Sequence, residues 1–515
     1  MNRLFIRADA TISMGTGHIM RCIALGQAWK KQGGAVSFIS HSPSKAITNR
    51  LDAEGFDLIR IKGICPDTQD IETTLDILCN PALYEKPPSS YGDQWVVLDG
   101  YHFTPEYQKA ITGKGLNLLV IDDYNHLDQY HATLLLNQNL GSDRYHYVCP
   151  DDTTKLSGTQ YIMLRSEFLT AKPIQKNACV NNILVTMGGS DPNNLTLKVI
   201  EAINEITHPD LKFKIIVGPD NPNTGYLKTT FSSQNSNTEL IENADMPQMM
   251  AWADLAVTAG GSTCWELCYM AVPFIITTVA QNQIELSCAL EQAGAAVCMG
   301  KDTCVTPQKI KDRLLALICD PEKLERMKQS GTRLVDGKGS SRIIRAMVGA
   351  KIVLRSARIN DAKLLYDWAN EKETRAASFN PDPISWEAHL AWFEQKISDQ
   401  NTWIYIARNH MNNDIGMIRF DKTEDFFKIS YLIDKNFRGQ GLGSGILKAG
   451  IEKIKSDIKL PAQFAGEIKT DNPASIKSFE NCGFSLLKKK EASVRIPDHC
   501  VYQFILNPVE PEDQP

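Results

Sequence analysis

Apolar positions in the first two-thirds of the chain fall into short runs separated by amphipathic stretches. Leu4–Ala8, Gly34–Ser40, Leu58–Ile61, Trp95–Asp99, Leu116–Asp122 and Thr133–Asn137 are strand-length and nearly continuous in apolar character, the pattern of strands covered on both faces. Between them, His18–Lys31, Ala46–Glu54 and Ile71–Cys79 carry helical spacing. This alternation predicts a parallel sheet with right-handed crossovers, with ligands gathering at the carboxyl ends of the strands. His18, Asp99, Tyr101, Asp122 and Asn137 fall at such ends. A second series follows Thr170–Asn182: strands at Asn182–Met187, Phe213–Val217, Leu255–Thr258 and Pro273–Thr277, and a helix at Leu195–Ile206.

Near Val348–Lys351 the grammar changes. The helix-like Ser340–Met347 gives way to the strand-like Ile352–Arg355, and helices are predicted from Asn360 through Trp368 and over Trp386–Lys396. Alternating strands Thr402–Arg408, Asp414–Asp421 and Phe427–Ile433 follow, separated by polar turns, as in an antiparallel sheet. A helix at Ser444–Lys455, a strand at Ala462–Ile468 and a helix opened by Asn472 complete the unit. The reading is therefore α/β throughout. Residues 1–170 and 171–348 form two doubly wound Rossmann-type domains, 352–508 a third domain, and the Pro- and acid-rich 509–515 a disordered tail.

Composition narrows the function. The 43% hydrophobic and 22% charged fractions are those of an ordinary globular protein. A net charge of −5 speaks against general nucleic-acid affinity, which needs a basic surface. Thirteen cysteines are scattered without metal-ligand spacing, which predicts reduced thiols. The first residues are charged too early for a signal peptide, and no apolar run reaches the roughly 18 residues of a membrane span. A cytoplasmic enzyme without membrane or nucleic-acid partners is expected; composition leaves oligomeric state open.

The chemistry concentrates in glycine turns. Gly15-Thr16-Gly17-His18 joins a strand to a helix, where glycines let the backbone approach a diphosphate and the helix start offers amides. His18 at that mouth has the ordinary pKa best suited to proton transfer near neutrality; the same spacing also suits a plain tight turn. Gly188-Gly189-Ser190-Asp191 repeats the strand–turn–helix arrangement, and Ala259-Gly260-Gly261-Ser262-Thr263 leads to Glu266. Amides there would take phosphates while Glu266 accepts from ribose hydroxyls; the alternative is a capping box of Thr263 with Glu266.

Two doubly wound domains of this kind resemble the GT-B architecture of sugar-nucleotide enzymes. Arg7-Ala8-Asp9-Ala10, Gly15-x-Gly-His18 and Arg21-Cys22 resemble the signature of the UDP-sugar hydrolases of the pseudaminic acid pathway. Those enzymes cleave UDP from UDP-2,4-diacetamido-2,4,6-trideoxy-β-L-altropyranose. Asp99-Gly100-Tyr101, Ile121-Asp122-Asp123, Met187–Asp191, Ala259–Glu266 and Ala280-Gln281-Asn282-Gln283 continue the likeness in order over roughly residues 1–345. The resemblance implies His18 as the base that activates water, with inversion at the anomeric carbon. It implies Tyr101 and Asn282 as contacts to sugar or phosphates, with Gly15, Gly17, Gly189, Ser190, Gly261, Ser262, Glu266 and Gln283 around the nucleotide. Asp9 is our own candidate for orienting the His18 ring. Because UDP is a good leaving group, the carboxylate pair of ordinary glycosidases is not required, and without an Asp-x-Asp motif no metal is expected. A glycosyltransferase of the same architecture is the alternative.

In the last unit, Arg438-Gly439-Gln440-Gly441-Leu442-Gly443 resembles the acetyl-CoA loop of GNAT acetyltransferases, whose backbone amides hold the CoA pyrophosphate. Asn472-Pro473-Ala474-Ser475 and Gly483-Phe484 resemble the same family, in which the Asn lies along the pantetheine arm and two neighbouring strands splay to admit the thioester. Many members carry a general-acid tyrosine where this chain has Phe479; Tyr431 and Glu467 are the other acid/base candidates. Together the likenesses imply acetyl-CoA-dependent acetylation of the 4-amino group of UDP-4-amino-4,6-dideoxy-β-L-AltNAc, followed by UDP removal. The alternatives are another amino-sugar acceptor or a module that only binds CoA.

Overall fold

The computed structural model describes residues 3–506 apart from 11–14, 42, 63–68, 81–93, 172–179, 232–236, 281, 350–351, 410–412, 439–441, 459–461 and 491–500. The expected linker over 170–182 therefore lies partly, and the tail wholly, outside the described residues. The chain divides into two compact units, Met1–Ile344 and Arg345–Pro515.

The first unit contains two parallel sheets. One comprises β1 (Arg3–Ala8), β2 (Ala35–His41), β3 (Asp57–Ile61), β4 (Trp95–Asp99), β5 (Asn117–Ile121), β6 (Leu134–Asn137) and β7 (Thr154–Ser157), in the order β3-β2-β1-β4-β5-β6-β7. The other comprises β8 (Asn182–Thr186), β9 (Lys212–Val217), β10 (Thr238–Glu242), β11 (Leu255–Ala259), β12 (Phe274–Thr278) and β13 (Ala296–Lys301), in the order β10-β9-β8-β11-β12-β13. Leu4, Phe5 and Ile6 of β1 and Ile183, Leu184 and Val185 of β8 are wholly buried, which is why those strands read as continuous apolar runs. In both sheets the strand order reverses beside the first strand, between β1 and β4 and between β8 and β11. These are the switch points at which ligands enter doubly wound folds. The Gly15–His18 turn follows β1, and the Gly188–Asp191 turn follows β8.

Strands β7, β10 and β13 escaped prediction. All three lie at sheet edges; in β7 and β10 polar residues such as Thr154, Lys155, Glu239 and Glu242 interrupt the apolar pattern, whereas β13 is apolar up to Lys301. The helix Gly339–Gly349 docks on the stretch that follows β7: Arg342 donates to the Gln160 carbonyl at 2.7 Å. At Gly339 a Cβ would strike the Ile162 carbonyl.

The second unit is one sheet of β14 (Val353–Ser356), β15 (Thr402–Arg408), β16 (Asp414–Lys422), β17 (Phe427–Ile433), β18 (Phe464–Lys469), β19 (Ser485–Lys490) and β20 (Val501–Leu506), ordered β14-β15-β16-β17-β18-β20-β19. Its pairs are antiparallel except β17 with β18, which pair in parallel only from Phe427↔Phe464 to Ile429↔Gly466. From Ser430 to Ile433, β17 keeps its β16 partner alone. The two strands therefore splay, leaving an opening beside Tyr431.

Candidate functional site

His18 is the second residue of the helix Gly17–Lys31, whose N-cap, Thr16, makes no side-chain bond to the first turn. Gly15 supplies the left-handed backbone of the turn, with φ at +74°. Asp99 ends β4 and pairs in register with Ala8 of β1, which carries its carboxylate to the helix start. Asp99 Oδ1 lies 2.6 Å from His18 Nδ1. Arg21, one turn along the same helix, donates from Nε to Asp99 Oδ2 at 2.7 Å and from Nη2 to Oδ1 at 2.7 Å. Its guanidinium also reaches Asp123 at 2.7 and 2.9 Å.

Burial acts to raise the Asp99 carboxyl, but the charge of Arg21 and then His18 outweighs it, leaving the group well below the usual carboxylate range. An ionised Asp99 is acceptor only, so the bond network assigns the ring proton to Nδ1 and the lone pair to Nε2. That is the tautomer a base needs. Tyr101 completes the wall: its hydroxyl donates to Asp123 Oδ2 at 2.7 Å, and its ring meets the His18 ring edge-on at 5.0 Å. Asp122 faces elsewhere, accepting from the Asn125 amide, His126 and the hydroxyls of Tyr130 and Tyr147.

Asp9 does not orient His18. Its carboxylate pairs with Arg7 at 2.6 Å and accepts from the His41 amide at 2.7 Å and the Ser40 hydroxyl at 3.1 Å. Arg7 also holds Asp70 at 2.7 Å. Asp9 thus belongs to a buried ion cluster that ties β1 to β2, because Arg7 within the sheet core has to be neutralised by nearby carboxylates. Asp99, Arg21 and Asp123 had no assigned role in the sequence-derived site, although all three stand in the motifs quoted above. Arg21 lies at i, i+3 from His18; what no local signal states is that the sheet register brings Asp99 and Asp123 to the same guanidinium.

The second lobe's turns meet the first lobe's. A Cβ on Gly189 would lie 2.6 Å from the Thr16 hydroxyl, and one on Gly17 would lie 3.9 Å from Ser262 Oγ. Gly15, Gly17, Gly189 and Ser262 therefore converge, with Ser190 buried beside Gly189. No side-chain bond caps the helix Thr263–Tyr269, so Glu266 and Thr263 form no capping box. Glu266 Oε1 instead accepts from Arg165 Nη2 at 2.8 Å, which competes with the expected ribose contact. Burial pushes its carboxyl up, with Arg165 pulling the other way. Gln283 accepts from the Val279 amide at 2.9 Å and packs on Gly260, so it shapes the turn; Gly261 has open space around it. Asn282 opens the helix Asn282–Gln292, but its side chain, like Gln281, lies outside the described residues.

In the second unit, Gly439, Gln440 and Gly441 lie outside the described residues, while Leu442 and Gly443 open the helix Leu442–Ile458. The Arg438 side chain pairs with Glu371 at 2.6 Å and Glu373 at 2.8 Å and donates to the Ile433 carbonyl at 3.1 Å. Nearby carboxylates satisfy the guanidinium and brace the loop base. Asn472 Oδ1 accepts from the Ser475 amide at 3.1 Å, capping the helix Pro473–Glu480. Phe479 is 2% exposed and packs directly on Gly466, where no Cβ would fit. Glu467 is paired with Lys428 at 2.7 Å. Tyr431 donates to Ser475 Oγ at 3.2 Å. Beside it is a pocket of about 480 Å³ that Arg375, His389, Trp392, Arg419, Ser430 and Tyr431 help to line, with no carboxylate among the described residues of its wall.

Among the described residues no helix is long and apolar enough to cross a membrane. Residues 351–485 match the acetyltransferase (GNAT) domain family, and residues 182–340 match the glycosyltransferase family 28 C-terminal domain. An uncharacterised protein of Methanocaldococcus jannaschii is 25% identical over 512 residues, 95% of this chain and 97% of that protein. The spore coat polysaccharide biosynthesis protein SpsG of Bacillus subtilis is 24% identical over 344 residues, 66% of this chain and 95% of its own length. The Helicobacter pylori pseudaminic acid cytidylyltransferase and UDP-2,4-diacetamido-2,4,6-trideoxy-β-L-altropyranose hydrolase is 27% identical over 205 residues, 39% of this chain and 37% of that protein. The chain therefore carries two parallel-sheet Rossmann-like lobes, the second matching the glycosyltransferase family 28 C-terminal domain, followed by a unit that matches the acetyltransferase (GNAT) domain.

Proposed function

We propose that this chain is a bifunctional sugar-nucleotide enzyme. Its second unit acetylates the 4-amino group of UDP-4-amino-4,6-dideoxy-β-L-AltNAc from acetyl-CoA, and its first unit then hydrolyses the product to UDP and 2,4-diacetamido-2,4,6-trideoxy-L-altropyranose. The observation that carries the reading is the Asp99–His18 pair at the mouth of a glycine turn that touches the second lobe's glycine turn. Further support comes from the name of the Helicobacter pylori relative, which includes this hydrolysis.

In the hydrolytic step His18 Nε2 takes a proton from water as the oxygen attacks the anomeric carbon. The bond to the UDP oxygen breaks with its electron pair on the diphosphate, where turn amides offset the growing charge. Asp99 steadies the imidazolium that forms. In the acetylation step, the pocket beside Tyr431, with Arg375 and Arg419 in its wall and Arg419 already paired with Asp421, offers the acceptor Arg375 as its phosphate contact.

Product analysis by mass spectrometry, using the 4-amino UDP-sugar with acetyl-CoA, tests the proposal. Wild type should yield the free diacetamido sugar and UDP, whereas His18→Ala should accumulate the acetylated UDP-sugar. Equal sugar release by both proteins would sink the base assignment. The match of residues 182–340 to a glycosyltransferase domain favours one alternative, sugar transfer to an acceptor hydroxyl. Sugar release at catalytic rates without any acceptor would exclude it.

A further inference from the structure

We infer that Tyr431 is the general acid of the acetyl transfer, in place of the tyrosine that Phe479 displaces. The inference rests on the acetyltransferase reading above and begins with the register of the sheet. Pairing of β17 with β18 stops at Ile429 and Gly466, so Tyr431 stands on the free stretch where the sheet opens. It forms part of the wall of the 480 Å³ pocket. Its hydroxyl also lies close to the start of the helix Leu442–Ile458, since a Cβ on Gly443 would be 3.2 Å from it. One side chain thus borders both the acceptor pocket and the cofactor-loop helix.

Competing groups are engaged. Phe479 has no proton to give and is packed on Gly466, and Glu467 is paired with Lys428. Around the Tyr431 hydroxyl are Ser475, Ser478 and Cys482, and burial pushes the phenol up, so it is protonated when the thioester breaks beside it. Its proton passes to the leaving sulfur only in concert with the far more acidic N–H of the positively charged adduct, which re-protonates the phenol oxygen. The amine nitrogen attacks the acetyl carbonyl carbon, the tetrahedral adduct collapses, and the C–S electron pair stays on sulfur. Tyr431 gives its O–H proton to that sulfur, and its oxygen takes a proton from the nitrogen in the same step as the amide forms. The products are the N-acetyl sugar and CoA thiol.

The experiment uses the full chain. Thiol release from acetyl-CoA with the 4-amino UDP-sugar is followed for wild type and Tyr431→Phe, and CoA affinity is measured by calorimetry. The expected result is a kcat lower by about 10²-fold, within the general-acid range, with the CoA Kd unchanged. A Tyr431→Phe enzyme with wild-type kcat, or one whose CoA affinity falls in proportion to its rate, overturns the inference. A wild type that releases no thiol with this acceptor overturns the acetylation reading beneath it, and the two failures are told apart by the wild-type control.

Discussion

The Asp99 carboxylate sits 2.6 Å from His18 Nδ1 although 81 residues separate them. The parallel register of β1 and β4 sets Asp99 level with Ala8, and the helix that begins after the glycine turn brings His18 back over the same strand ends. Arg21 clasps the far side of that carboxylate, so the charge and direction of Asp99 are fixed before any substrate arrives.

Asp99→Asn should therefore disable His18 without removing it. An amide N–H can donate to Nδ1, which moves the ring proton to Nε2 and leaves no lone pair for water. We expect sugar release to fall by about 10²-fold or more, with thiol release from acetyl-CoA unchanged. Quantifying both products in one incubation checks this.

Gly189→Ala should wedge the glycine turns apart, because its Cβ would lie 2.6 Å from the Thr16 hydroxyl. Hydrolysis should weaken mainly through KM for the UDP-sugar. Adding Thr16→Ala removes the clashing hydroxyl and should restore most of the loss; no recovery in the double variant would show that the two turns do not bear on each other.

Acid should loosen the first unit through Asp9. Burial raises its carboxyl, but His102 and Arg7 more than reverse this and hold it well below the usual range. The unfolded chain then binds the extra proton, so this contribution is complete above the ordinary carboxylate pKa of about 4 and fades as pH falls below it. Asp9→Asn should cost about 3 kcal/mol at neutral pH, the low end for breaking a buried ion pair, because Arg7 keeps Asp70. Its urea midpoint should also change less than that of wild type between neutral pH and pH about 3.

Much of this was legible in the residue pattern, because strands covered on both faces must be apolar and must end in polar residues at the ligand side. The glycine turns and His18 were visible for the same reason. Asp9 misled because nearness along the chain is not nearness in a parallel sheet: the neighbour of β1 that matters is β4, and no local signal states the register. The ion pairs of Arg438 were hidden differently, since its motif position does not reveal that Glu371 and Glu373 will claim its guanidinium.

The docking of the Gly339–Gly349 helix on residues 160–162 has a mechanical consequence. Arg342 holds the Gln160 carbonyl, and Ile162 two residues on is buried among Leu184, Ile216 and Phe274 of the second sheet, so the stretch after β7 is gripped from two sides. A segment held in that way transmits strain instead of absorbing it: Gly339→Ala, whose Cβ would strike the Ile162 carbonyl, should disturb the second sheet's core as well as its own helix.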